Sequence, residues 1–149
     1  MTEGKFNRDS PSLKVQAHYG KKEYFIDHAL AKKIGFRTSE DRGRLLENIV
    51  FIELKRRGYD VYFHKENKEC DFVIKEDQKV IQAIQVTTQL DSEETEKREI
   101  EGLQEAMSSY HLQTGLILTD NTEEDRGHIL VLPIWKWLLG SAATSKYIG

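Results

Sequence analysis

Apolar and polar residues alternate along this chain with two different periods, and the switches between them mark its elements. Residues 42–57 place Leu46, Ile49, Phe51 and Leu54 at helical spacing, so a long helix is predicted there. Thr38, Ser39, Glu40 and Asp41 supply capping chemistry ahead of it; Gly58 is a natural stop, and Lys55, Arg56 and Arg57 suit its negative end. Three β-rich runs follow, residues 59–64, 70–75 and 80–88, separated by short polar turns that imply an antiparallel meander. Asp91, Ser92, Glu93 and Glu94 open a second long helix reaching about Tyr110, with Gly102 inside it working against the helix. Residues 115–119 are almost continuously apolar, as in a strand buried on both faces. After an acidic loop at 120–127, residues 128–132 form a last strand, and Pro133 opens a short helix over 134–139.

Ahead of this core, residues 1–12 are polar and form a tail or the end of a linker. Residues 13–19 and 23–26 make a hairpin about Gly20, Lys21 and Lys22, and residues 29–34 a short helix capped by Asp27 and ended by Gly35. The expectation is one α/β domain over 13–149, with its core at about 40–140. A mixed central sheet is flanked by helices in the order αβββαβ, behind a small N-terminal extension. The unit from residue 80 to 119 is expected to be a right-handed parallel crossover.

Composition narrows the class. At 149 residues, 38% hydrophobic and 32% charged, the chain has enough apolar surface for one core. A single cysteine, Cys70, excludes an internal disulfide and a CxxC zinc site and fits a reducing, cytoplasmic setting. Apolar runs stay well short of the ~20 residues that span a bilayer, and the polar start is not a signal peptide. The net charge of −3 is unevenly spread: residues 1–68 hold 15 Lys/Arg against 10 Asp/Glu, residues 69–149 hold 7 against 15. A polyanion would therefore meet the first half, where Arg42, Arg44, Lys55, Arg56 and Arg57 are candidate phosphate contacts beside Lys32, Lys33 and Arg37. The competing reading is an ordinary solvated helix face.

The candidate chemistry lies between the first helix and the third strand. Asp71 opens an apolar strand, Gln85 and Thr87 lie on one face of the next, and Glu47 projects from the helix among apolar neighbours. This is the layout of a metal-dependent phosphodiesterase, in which carboxylates hold a hard cation and a lysine helps polarise the attacking water. Here the second acid position is Gln85 and the lysine position is Thr87, so magnesium or manganese binding is expected to be weak or absent and cleavage impaired. Structural roles compete: Glu47 as a partner of Arg44, and Asp71 as a turn cap or a partner of Lys68. His64, His111 and His128 lack HxxxH or HxH spacing. Trp135 and Trp137 are expected to anchor the last segment. With no GxxxxGK[ST], GxSxG or Rossmann glycine pattern, the chain carries no ATP site of the P-loop kind.

The runs Tyr24-Phe25-Ile26-Asp27, Ser39-Glu40-Asp41-Arg42-Gly43-Arg44-Leu45-Leu46-Glu47-Asn48 and Glu53-Leu54-Lys55-Arg56-Arg57-Gly58-Tyr59 closely resemble the C-terminal domain, of unknown function, of archaeal and bacterial AAA-type ATPases. The likeness continues through Cys70-Asp71-Phe72-Val73, Ile84-Gln85-Val86, Glu94-Thr95-Glu96-Lys97-Arg98-Glu99 and Ile134-Trp135-Lys136-Trp137-Leu138, over roughly residues 20–140. It implies a restriction-endonuclease-like PD-(D/E)XK fold, with metal positions at Glu47, Asp71 and Gln85 and the lysine position at Thr87. It also implies ATPase and winged-helix parts as partners, in the same parent chain or a separate protein. The function expected is a nuclease-fold accessory module of such an ATPase, associated with nucleic acid. The alternatives are a protein-interaction domain that uses the acidic helix from 93 to 105, and an active nuclease in which Lys75 or Lys97 takes the lysine's place.

Overall fold

The computed structural model describes residues 13–15 and 39–140. Its elements are β1 (Leu13–Val15), α1 (Ser39–Arg56), β2 (Asp60–Lys65), β3 (Glu69–Glu76), β4 (Lys79–Val86), α2 (Glu93–Ser109), β5 (Gly115–Thr119), β6 (Glu124–Asp125), β7 (Ile129–Pro133) and α3 (Ile134–Leu138). They build one seven-stranded mixed sheet in the order β1-β2-β3-β4-β5-β7-β6. The meander β2-β3-β4 is antiparallel, β4-β5 and β5-β7 are parallel, and β6 runs antiparallel to β7. This is the expected α/β architecture, with helices on both faces.

Two apolar clusters account for the layering. Leu46, Val50 and Leu54 of α1, with Ile134 and Trp137 of α3, pack on Phe72, Ile74, Ile84, Leu116 and Leu132. On the other face Leu103 and Ala106 of α2 meet Cys70, Ala83, Ile117 and Val131. β5 and β7 are buried along their whole length, which is why they read as continuous apolar runs. Among the described residues no helix is long and apolar enough to cross a membrane.

Local chemistry sets the helix ends. After α1, Gly58 takes φ +83°, with Gly58 N–H donating to Lys55 O at 3.0 Å and Tyr59 N–H to Leu54 O at 3.2 Å, a Schellman closure. α2 starts at Ser92, whose hydroxyl accepts from Thr95 N–H, and closes in the same way with His111 at φ 56°. The β3–β4 hairpin turns on Asp77 and Gln78, both at positive φ, the two-residue turn whose twist suits antiparallel strands.

Several expectations change. Of the predicted hairpin at 13–26, only Leu13–Val15 is described, and it pairs antiparallel with β2; the rest of the hairpin and the short helix at 29–34 lie outside the described residues. The loop at 120–127 contains the two-residue strand β6, too short to leave a periodic signal. Trp137 is buried, but Trp135 is 53% exposed and anchors nothing by burial.

The basic run at the end of α1 is a structural pin. Glu53, buried, accepts from Arg56 at 2.7 Å through each oxygen and from Arg57 at 2.7 Å. Arg57 also stacks 4.5 Å over the Trp137 ring and donates to Trp137 O, tying α1 to α3. The Arg56 hydrogen bond, aided by Arg57 and opposed by burial, takes the Glu53 carboxyl from 4.5 down to about 2. A depressed carboxyl stabilises the fold above its unfolded pKa and loses that contribution as pH falls towards the folded value. Glu53→Gln is expected to cost about 2 kcal/mol at neutral pH, since it leaves Arg57 half-buried without its charge partner. Denaturation of wild type and variant at pH 7 and pH 3 checks this, the gap narrowing at the lower pH.

Candidate functional site

A cleft of about 920 Å³ opens where the ladder between β3 and β4 ends, walled by the first turns of α1, the β2–β3 turn and the start of α2. The pairing of β3 with β4 runs to Phe72 opposite Ile84. Beyond that point side chains take over from the ladder. Gln85 Oε1 accepts from Asp71 N–H at 3.0 Å, and Asp71 Oδ2 accepts from Val86 N–H at 2.9 Å. Val86 instead follows β5, paired with Leu118, and Thr87 N–H donates to Leu118 O. The two strands therefore part, bridged by the side chains of Asp71 and Gln85.

A bulge in β3 contributes. Between Val73, opposite Tyr62, and Cys70, opposite His64, β3 has one residue more than β2, and that extra residue falls at Asp71-Phe72. Bulges commonly re-aim a side chain beside a functional cleft. This one lets Cys70 face the α2 cluster while Phe72 faces α1, and leaves Asp71 on the cleft.

All four residues expected at the site, Glu47, Asp71, Gln85 and Thr87, line this cleft, brought from α1, β3, β4 and the residue just past the end of β4. Asp71, Gln85 and Thr87 are buried and Glu47 is half-buried. Thr87 Oγ donates to Gln89 O at 3.2 Å. Of the two cations weighed as structural partners for Asp71 and Glu47, Lys68 pairs with Glu101 at 2.8 Å and Arg44 with Glu40 at 2.9 Å.

Sequence reasoning missed Glu99. Its carboxylate is 6% exposed, with Oε2 accepting from Gln85 Nε2 at 2.5 Å and Oε1 from Arg98 at 2.8 and 3.1 Å. A chain of contacts thus runs Asp71–Gln85–Glu99–Arg98, and Glu99, with Asp71 further off, holds Arg98 firmly protonated. The signal was available: Glu99, Gly102, Leu103 and Ala106 are the buried residues of α2 at spacing i, i+3, i+4, i+7, an acid heading an apolar stripe.

The fit to a hard cation is poor. The Gln85 amide is engaged at both ends, and Glu47, Asp71 and Glu99 do not gather their oxygens within 4.8 Å of one another. Neither Lys75 nor Lys97 lines the cleft; Lys97 lies beside Glu101 at 3.8 Å, and Lys75 pairs in register with Asp60. The cations that do line it are Arg44, Lys68 and Arg98, against six carboxylates. Of the other predicted phosphate contacts, Arg42 pairs with Asp120 at 2.6 Å. Lys55 donates to Tyr59 O, and Arg56 and Arg57 hold Glu53, about 18 Å along α1 from Arg44 at 1.5 Å per residue.

A family model described as a domain of unknown function, DUF4143, matches residues 42–137, a span holding every residue of the cleft except Glu40. The chain belongs to the DUF4143 family. An uncharacterized protein of Methanocaldococcus jannaschii is 34% identical over 143 residues, covering 86% of this chain and 31% of that protein. An uncharacterized protein of Haemophilus influenzae is 36% identical over 70 residues, 46% of this chain and 16% of its own length. This DUF4143 chain thus spans less than a third of either relative. No solved structure matches it.

Proposed function

We propose that this DUF4143 domain is a PD-(D/E)XK nuclease-fold accessory module of an AAA-type ATPase, working in the cytoplasm on nucleic acid with impaired cleavage. The observation that carries the reading is the convergence of Glu47, Asp71, Gln85 and Thr87 on one cleft at the parting of β3 and β4. An acid on a helix, an acid on a bulged strand and a polar pair on the next strand suit phosphodiester chemistry, while an amide at Gln85 and a hydroxyl at Thr87 lack the charges that would drive it. The remaining two thirds of the M. jannaschii relative leave room for ATPase and winged-helix parts. Phosphate contact falls to Arg44, Lys68 and Arg98, which line the cleft, rather than to the run at 55–57, which lies outside it.

Plasmid nicking with magnesium or manganese, beside an Asp71→Ala control, is expected to show no cleavage above the control; cleavage lost in the control would restore the active-nuclease alternative. Binding to a labelled duplex is expected to weaken with salt with a log–log slope of about −2 to −3, one contact per rim cation, and Arg98→Ala should reduce the slope by about one. A second reading, a protein-interaction domain without nucleic-acid contact, is favoured by charge: residues 39–140 hold 13 Lys/Arg against 21 Asp/Glu. Absence of salt-dependent binding would select it. The double change Gln85→Glu with Thr87→Lys is expected to create measurable manganese affinity; no gain would count against the site assignment.

A further inference from the structure

On the far side of the turn that walls the cleft, three ligand-bearing side chains converge. His64 near the end of β2, Glu66 two residues on, and Glu105 of α2 bring one ligand atom each within 4.8 Å of the others, the one such trio of His, Cys, Asp or Glu among the described residues. His64 is fully buried. Its Nδ1 lies 2.9 Å from the Tyr110 hydroxyl, whose ring stands edge-on to the imidazole, and its Nε2 lies 3.0 Å from Glu105 Oε1. Glu105 Oε1 also accepts from Lys68 N–H at 2.9 Å, which fixes the carboxylate. The Glu66 carboxylate makes no hydrogen bond or ion pair among the described residues.

The nearby cations are engaged elsewhere: Lys65 Nζ lies 3.6 Å from Glu69, and Lys68 Nζ lies 2.8 Å from Glu101. Two carboxylates and an imidazole are therefore held together with no lysine or arginine side chain ion-paired to them among the described residues. A ring nitrogen oriented by a second partner on its other nitrogen is the usual environment of a metal-bound histidine. A carboxylate oxygen accepts, so the 3.0 Å contact is Nε2–H donating to Glu105 with Nδ1 accepting from the Tyr110 hydroxyl; in the other tautomer Nδ1–H donates to Tyr110 and the Nε2 lone pair is free for an ion.

We infer that His64, Glu66 and Glu105 form a site for a first-row transition cation of the zinc type. One imidazole nitrogen and two carboxylate oxygens give three protein ligands and leave a fourth position for water on the exposed Glu66 side. A tetrahedral ion places its ligand atoms about 3.3 Å apart, so Glu66 closes the site by turning its side chain. The bound ion fastens the turn carrying Lys68 and Glu69 to α2 and so stiffens one wall of the cleft.

Chelator-stripped protein is titrated with Zn²⁺ by calorimetry and with Co²⁺ by visible absorption. One equivalent per chain is expected, with cobalt bands of low-coordinate type, and Glu66→Ala and Glu105→Gln should each weaken binding by at least about ten-fold. Glu66 is exposed on a turn, so its variant keeps the fold, which far-UV circular dichroism checks. Lack of saturable uptake overturns the inference. So does uptake that both variants leave unchanged, since the ion would then sit on other histidines such as His111 or His128.

Discussion

Gly102→Ala is expected to destabilise this domain strongly, although alanine is the better helix former. A Cβ at Gly102 would lie 2.2 Å from the backbone carbonyl oxygen of Glu69 and 3.3 Å from its carbon. The obstacle is main chain at the head of β3, so no side chain can swing aside; α2 must lift or β3 must shift. Helix propensity favours alanine by about 1 kcal/mol. Overpacking against fixed backbone outweighs that, for a net loss of about 2–3 kcal/mol and a fall in Tm of roughly 5–10 °C. Gly43→Ala in α1 is the matched control: its Cβ meets nothing within 4 Å, so a gain of about 0.5–1 kcal/mol is expected. Calorimetry of the two variants should move in opposite directions. Equal effects would mean that α2 does not rest directly on Glu69.

Gln85→Glu made alone, without the Thr87→Lys change, is expected to weaken the fold. The Gln85 amide nitrogen donates to Glu99 at 2.5 Å, in a buried setting. Substituting a carboxylate sets two like charges at hydrogen-bond distance, so one of them must take up a proton and its pKa is raised. A carboxyl whose folded pKa lies above the unfolded value costs stability once pH exceeds the unfolded value, and the cost disappears as pH falls below it. A penalty of about 2–4 kcal/mol at pH 7 is expected, shrinking towards pH 4. Thermal melts across that range check it. A further change, Glu99→Gln, should relieve the penalty at neutral pH, because it restores a donor opposite the new acid.

Sequence periodicity carried most of this architecture because the signals were local. The α1 stripe with its Gly58 stop, the apolar runs of β5 and β7 and the capping serine of α2 each depend on neighbours within a few residues. Boundaries moved by one to three positions; α1 begins at Ser39 rather than Arg42. Asp71 and Gln85 were legible as a pair because adjacent strands in a tight meander must bring them together. Glu99 was not, because its role depends on where α2 settles after a crossover. Charge was the least legible property. Counting marked Lys55, Arg56 and Arg57 as a phosphate surface, whereas two of the three are committed to Glu53 and the third to a helix end. The His64, Glu66 and Glu105 cluster escaped spacing rules for the same reason as Glu99: a ligand from a distant helix has no fixed sequence offset.

The splayed end of β3 and β4 gives Asp71 an occupation that has nothing to do with reaction chemistry. Its oxygen stands in for the strand partner that Val86 has lost, so removing it would strand a main-chain donor in a dry location. Finding this acid in place is therefore weak testimony for turnover.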